Sequence, residues 1–406
     1  MRSLFEAGQF DRDLALHRTA VSAVKHLRAS GSSGPTEEES FILKQFSTTL
    51  GLCVDEMGVE TSLFDVGCTS MDLVRLKRSI DTQFNVTIPV VVFMKHPTAR
   101  SLATALRSHL ARHSAGQEAS PATEYDPVVT LRAQGKKAPL WLVHPGVGEI
   151  LVFVGLSKHM AIDDRPVYAL RARGFEPGQT CFSSIAETVE VYVNAIRQYQ
   201  PSGPYAIAGY SYGTMLAFEI TKVLNSMDGD GSVRFLGSFN LPPHIKARMR
   251  HLNWNMCLLH LAYFLDLTTE EHADVREQEG FRELSRSAAV TQLIRDADKA
   301  RMEELGLGET ELSGWADVAF SLQSMATEYE PSGLVDVLDV FHAKPLKVAA
   351  ASSEEWVQVH LSKWRDFCRT EPVFHAVQGA HYTMIGSDHV ASFASTLQVA
   401  LRARGI

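Results

Sequence analysis

Cysteine is scarce and unpatterned in this chain of 406 residues. Its thiols, Cys53, Cys68, Cys181, Cys257 and Cys368, are scattered, and no two form a CxxC pair. That spacing excludes a disulfide or zinc framework and suits a reducing compartment. Long hydrophobic runs are missing as well, so no segment is expected to span a bilayer. The opening MRSLFEAGQFDRDLALHR is charged throughout and is unlike a signal peptide. A cytoplasmic location is therefore expected. Basic charge is not in excess: 39 Lys and Arg face 47 Asp and Glu, a net charge of −8. Nucleic acid is thereby disfavoured as the main partner, because phosphate binding needs a basic face. No metal-ligand spacing and no internal repeat stand out, and no metal is expected.

What the chain does contain is ordinary globular material, 45% hydrophobic and 21% charged. Its length suggests two or three domains. Two small, polar stretches, RASGSSGPTEE at 28–38 and HSAGQEASPATEYDP at 113–127, read as linkers. They divide the chain into a tail at 1–36, a small domain at 37–113, a linker at 114–127 and a large domain at 128–406. In the small domain, EEESFILKQFSTTLG is predicted helical behind an N-cap at Thr36. SMDLVRLKRSIDTQF and SLATALRSHLARH are further amphipathic helices, and PVVVFMKH is a short helix or strand. A small helical bundle follows.

Beyond 128 the rhythm changes to short apolar runs alternating with helical stretches. Strands are predicted at 140–144, 167–170, 205–209, 233–239, 346–352 and 373–378. Helices are predicted at 184–199, after residue 211 and at 389–404. Near-continuous apolar strands alternating with helices imply a mostly parallel sheet covered on both faces. Residues 244–330 break the pattern with helical periodicity and no strand. This insertion is expected to be a lid, with the dense apolar stripe of LNWNMCLLHLAYFLDL offered to a substrate.

The stretch GYSYG at 209–213 sits where a strand gives way to a helix. That is the setting of a nucleophile elbow, whose flanking glycines admit a turn too tight for side chains. Ser211 is the candidate nucleophile, and the Tyr212 amide at the helix start can stabilise an oxyanion. A serine nucleophile needs a base. His381, in GAHYTMIG between the last strand and the last helix, has the right position, whereas His375 lies inside the strand and is expected to be structural. HPGVGEI after the strand at 140–144 supplies a second oxyanion donor, Val147, with Gly146 nearby. The residue orienting the histidine should stand at a strand end. Asn240 ends the strand at 233–239 where an acid is usual, and Glu354 and Glu355 after 346–352 are the alternative. An Asn cannot compensate imidazolium charge, which points away from fast hydrolysis.

Ser70, before an amphipathic helix in LFDVGCTSMDLVRLKRSID, reads by itself as a helix N-cap. A serine at a helix N-terminus is also well placed to carry a phosphate ester. The stretch Phe64-Asp65-Val66-Gly67-Cys68-Thr69-Ser70-Met71 resembles the D/E-x-G-x-x-S attachment site of carrier (thiolation) domains, with Thr69 where many carriers have Asp or His. HPGVG, GYSYG and GAHYTM resemble the motifs of thioesterase domains that end peptide and polyketide assembly lines. LFEAGQFD resembles the tail of an adenylation domain.

GCTSMDL, GYSYG and GSFNLPPHIKARM together resemble fungal adenylation–thiolation–thioesterase synthetases of aryl quinones and furanones. Atromentin, polyporic acid and microperfuranone synthetases are of that family. The resemblance implies an α/β hydrolase fold with a helical lid, preceded by a four-helix all-α carrier domain. It implies 4′-phosphopantetheine on Ser70, attached by a phosphopantetheinyl transferase. It implies an adenylation domain as partner, aromatic 2-oxo acids as substrates, and release by Claisen/Dieckmann-type condensation of two units. The rival expectations are a hydrolytic or macrocyclising thioesterase, a non-catalytic carrier and docking module, and a lipase-like esterase in which Ser70 only caps a helix.

Overall fold

The computed structural model describes residues 35–86, 88, 90–114, 125–176, 178–305 and 307–406. The adenylation-like LFEAGQFD and most of both expected linkers lie outside them. The chain divides into two compact units near residue 120.

The first unit contains helices α1 (Glu37–Leu50), α2 (Ser70–Phe84), α3 (Val90–Lys95) and α4 (Ala99–Ser114). PVVVFMKH is thus a helix. Thr36 caps α1 in a reciprocal capping box with Glu39. The helices enclose Ile42, Phe46, Leu73, Leu76, Ile80, Phe93, Met94 and Leu102, all at most 1% exposed. One local expectation is corrected: Thr69, not Ser70, is the N-cap of α2, since its hydroxyl accepts from the Asp72 amide and Asp72 answers the Thr69 amide. Ser70 is the first helical residue.

The second unit is built on a seven-stranded sheet: β1 (Val128–Arg132), β2 (Leu140–Val143), β3 (Val167–Leu170), β4 (Tyr205–Tyr210), β5 (Val233–Phe239), β6 (Asp339–Lys344) and β7 (Val373–Ala380). Their order is β1-β3-β2-β4-β5-β6-β7, with β1 antiparallel and the rest parallel. Every residue of β2 and β4 is buried, as strands covered on both faces require. Helices α5 (Val152–His159), α6 (Ile185–Tyr199), α7 (Tyr212–Asp228) and, last in the chain, α14 (Val390–Ala403) accompany the sheet.

The strand expected at 346–352 is not there. That segment is turns, with Val348 55% exposed, and the sheet position belongs to β6. Asp339, His342 and Lys344 interrupt the apolar pattern of β6 and conceal it in the sequence. Asp339 is nevertheless buried, held by His375 Nε2 and Arg404 Nε at 2.8 Å each. His375 therefore has the structural place expected of it.

Between β5 and β6 run α8 (Lys246–His251), α9 (Trp254–Phe264), α10 (Glu270–Gln278), α11 (Arg286–Asp296), α12 (Lys299–Leu305) and α13 (Glu309–Met325). Most of the apolar stripe of α9 is turned inward, while Leu259 and Tyr263 line a cleft. Met256, Leu258, Leu261 and Ala262 are fully buried in a core of the insertion itself, because α9 packs against α10, α11 and α13. A helix that is apolar nearly all round is a buried helix. Among the described residues no helix is long and apolar enough to cross a membrane, and no group of His, Cys, Asp or Glu is placed to hold a metal ion.

Candidate active site

The elbow is built by close backbone approach. β4 delivers Tyr210, α7 begins at Tyr212, and Ser211 between them adopts φ +52°, ψ −126°, a strained position for a residue with a side chain. A Cβ on Gly209 would lie 2.0 Å from the Gly213 carbonyl oxygen, and one on Gly213 would lie 2.4 Å from the carbonyl oxygens of Val143 and His144. Only glycine fits at either position. The Ser211 amide donates to the Phe239 carbonyl at 2.9 Å, which ties the strained residue to the end of β5.

His381 follows β7 and brings Nε2 to 3.0 Å from Ser211 Oγ. Its amide donates to the Lys344 carbonyl at 2.9 Å, and the buried Tyr210 hydroxyl donates to its carbonyl. The imidazole is thus held by its own main chain. Burial pushes its pKa down to about 4, and the Arg248 cation acts in the same direction. The ring is neutral at physiological pH.

Asn240 meets the other ring nitrogen, Nδ2 to His381 Nδ1 at 3.2 Å. It is fully buried and has φ +61° just past β5, a region Asn tolerates better than most residues. Its Oδ1 accepts from Trp356 Nε1 at 2.7 Å and from the Ala343 amide at 3.3 Å. The segment of the alternative acids thus reaches the site through Trp356. Glu354 is exposed, and Glu355 binds the Ala351 amide of its own turn at 2.9 Å.

The HPGVG loop lies beside the elbow: a Cβ on Gly146 would come within 3.4 Å of Tyr212 Cβ. His144 anchors the loop, with Nδ1 2.8 Å from the Pro145 carbonyl and Nε2 2.8 Å from the Tyr192 hydroxyl. Glu149 fixes its far end through Arg171 Nε at 2.8 Å. Val147 buries its side chain in the core of the helical insertion. The Tyr212 amide, first in α7, has no acceptor within the helix, and the Tyr212 hydroxyl donates to the Leu322 carbonyl at 2.7 Å.

Above His381 the surroundings are aromatic and polar. Tyr382 meets Tyr263 of α9 edge-on at 4.8 Å. A small cleft of about 30 Å³ there is lined by Arg248, His260, Tyr263 and Tyr382, with Glu270 and Lys347 also in its wall. Arg248, Trp356 and the Ala343 amide are not expected at the site from the sequence, and Tyr210 is noted only as part of GYSYG. Trp356 reaches Asn240 from 116 positions beyond it and the Ala343 amide from 103.

In the first unit, Ser70 opens the 15-residue α2, after a loop in which Gly67 takes φ +87°. A serine hydroxyl borne at the start of a helix suits a phosphate ester, because the helix amides and dipole favour negative charge.

The comparisons agree with this division. Residues 138–401 match the thioesterase domain family, and residues 40–106 match the phosphopantetheine attachment site family. The nonribosomal peptide synthetase atrA of Aspergillus terreus is 48% identical over all of this chain and 43% of its own length. Aspulvinone E synthetase melA, also of Aspergillus terreus, is 46% identical over all of the chain and 42% of its own length. Atromentin synthetase nps3 of Serpula lacrymans is 39% identical over all of the chain and 40% of its own length. The chain thus spans less than half the length of these curated relatives. Among solved structures, a four-domain nonribosomal peptide synthetase, holo-AB3403, covers 91% of the chain and is itself covered over 27%, with a TM-score of 0.55 at 19% identity. The Vlm2 thioesterase domain covers 67% of the chain and is itself covered over 96%, with a TM-score of 0.50 at 19% identity. These two show the fold.

Proposed function

Because the chain belongs to the thioesterase family and carries a phosphopantetheine attachment domain, matching the C-terminal carrier–thioesterase part of fungal synthetases, we propose that it is the product-releasing part of an aryl quinone or furanone synthetase. The observation that carries this reading is the 3.0 Å contact of Ser211 with His381 on a glycine-flanked elbow, in a chain that also holds a carrier domain. When bound to Ser70, 4′-phosphopantetheine supplies a thiol that holds an acyl group as a thioester.

Ser211 Oγ is the nucleophile. Given an acyl group delivered as a pantetheine thioester, Ser211 Oγ would attack its carbonyl and keep the acyl group as an ester, the thiol being the leaving group. His381 takes the hydroxyl proton and later returns one to a leaving group. The Tyr212 and Val147 amides face the developing oxyanion. Asn240 orients the imidazole. The names of the relatives, an aspulvinone E synthetase and an atromentin synthetase, support arylpyruvyl units as cargo and their condensation in pairs as the release step. In that step His381 takes a proton from the carbon next to the keto group of one unit, that carbon attacks the Ser211 ester of the other, and as the C–C bond forms Oγ leaves and receives the proton from His381. The helices at 244–330 act as the lid that keeps water from the ester. An upstream adenylation domain supplies the activated acid, and a phosphopantetheinyl transferase modifies Ser70.

The test is to load Ser70 with an arylpyruvyl-pantetheine and follow protein and product by mass spectrometry, for wild type and Ser211→Ala. A two-unit product that the variant fails to make is the expected result. Release of the free monomeric acid alone sinks the condensation.

A further inference from the structure

Asn240 is held in one orientation by its neighbours. Its Oδ1 receives the Trp356 indole N–H at 2.7 Å and the Ala343 amide N–H at 3.3 Å. Both partners are donors that can never accept. Turning the amide over would set its NH2 group against two N–H groups in a buried pocket, which loses two bonds and leaves donors unpaired. The NH2 group is therefore the end that faces His381 Nδ1, at 3.2 Å. An amide NH2 only donates, so the ring nitrogen it meets is without a proton. A neutral imidazole then has its proton on Nε2 and donates it to Ser211 Oγ across 3.0 Å.

We infer that Trp356 and the Ala343 amide, acting through Asn240, hold His381 in the Nε2–H tautomer, so that Ser211 rests unactivated. This deepens the proposed function and rests on Ser211 and His381 being the reacting pair. His144 in the same unit shows the opposite arrangement. Its Nδ1 faces the Pro145 carbonyl, an acceptor, and its Nε2 meets the Tyr192 hydroxyl, which can donate. His144 thus has its proton on Nδ1. A triad histidine acting as base needs that same form, with Nε2 bare towards the serine. His381 reaches it when Nδ1–H turns to the Asn240 main-chain carbonyl, which also faces the ring.

The lock has a chemical use. Hydrolysis of an acyl ester on Ser211 requires Nε2 to take a proton from water, and a ring held as Nε2–H cannot do so. The same holds for any second reactant that must give up a proton, so the ester on Ser211 persists until the ring takes its Nδ1–H form. Trp356 and Asn240 are thus positioning residues that set when Nε2 is free to act as a base. Both hydrogen bonds to Oδ1 come from donors, so a carboxylate at 240 would accept them and the His381 Nδ1–H as well.

The experiment uses the full chain labelled with 15N-histidine. A long-range 1H–15N spectrum near neutral pH reports the tautomer of each ring, with His381 assigned by its loss in His381→Gln and His144 as the internal standard. The expected spectrum has His381 protonated on Nε2 in the wild type and on Nδ1 in Asn240→Asp. Trp356→Phe, which removes one donor from Oδ1, gives a mixture. In parallel, the rate of Ser211 labelling by an aryl fluorophosphonate rises in Asn240→Asp, by tens of fold and at most by about 10⁴, the cost of the reverse change in serine proteases. A wild-type His381 protonated on Nδ1 overturns the inference, as does an Asn240→Asp chain that labels no faster. Ser211→Ala tests the nucleophile separately, since its failure to block product leaves the tautomer spectrum unchanged.

Discussion

Acidification gives the sharpest test of the proposed site, because His381 can act as a base only while neutral. Burial, reinforced by Arg248, lowers its pKa from 6.5 to about 4. That drop corresponds to roughly 3 kcal/mol against the charged ring. At pH 5.5 an ordinary imidazole is only about one-tenth neutral, whereas a ring with a pKa near 4 is almost wholly so. The supply of base therefore differs about tenfold at that pH. The assay is the rate of Ser211 labelling by an aryl fluorophosphonate from pH 4.5 to 8. The expected profile is flat down to about pH 5 and falls below it. A half-maximum near pH 6.5 would refute the claim that the ring is dry and neutral.

The same shift has a stability consequence with a fixed sign. The folded pKa of His381 is depressed below the unfolded value, so the folded state prefers the neutral ring. This contribution is fully present above about pH 6.5 and is lost as pH falls towards 4. His144, also lowered to about 4 by burial, adds to the loss over the same range. Urea midpoints followed by tryptophan fluorescence will read it, since Trp141, Trp254, Trp315, Trp356 and Trp364 all lie in the second unit.

Other changes follow from named contacts. Arg248→Ala removes a cation that depresses His381, so the acid limb of the labelling profile should move upward; an unmoved limb would show that the guanidinium does not act on the ring. Gly213→Ala places a Cβ 2.4 Å from two carbonyl oxygens between the elbow and β2. It should cost at least about 1–3 kcal/mol and abolish labelling, and a fully labelled, stable variant would refute the packing. Tyr210→Phe leaves the buried His381 carbonyl without its hydroxyl partner. A loss of about 1–3 kcal/mol in urea stability is expected, with little change in the acid limb, because the ring itself is untouched.

The sequence alone determined the features that are local. Strand, GYSYG and helix follow one another between Tyr205 and Asp228, and the steric demand for Gly209 and Gly213 is written into the motif itself. The amphipathic helices of the first unit and the buried strands of the second follow from periodicity, because period 3.6 and continuous apolar runs report the surfaces that an element must hide. His381 was legible from its place after the last strand, and Asn240 from the end of β5. Where polar residues interrupt a buried element, periodicity fails. Asp339 in β6 is hidden behind a hydrogen bond with His375 and an ion pair with Arg404, and the apolar but turn-forming 346–352 drew the strand to itself. The apolar stripe of α9 read as a surface offered to a substrate, and only the packing of the insertion on itself shows that most of it is core.

The chemistry of His381 was decided entirely by tertiary structure. Residue type names Asn240 as a group that can either donate or accept. Which end faces the imidazole depends on Trp356 and the Ala343 amide, which reach it from positions more than one hundred residues away. A side-chain amide has no intrinsic direction. It acquires one only when folding surrounds one of its ends with donors.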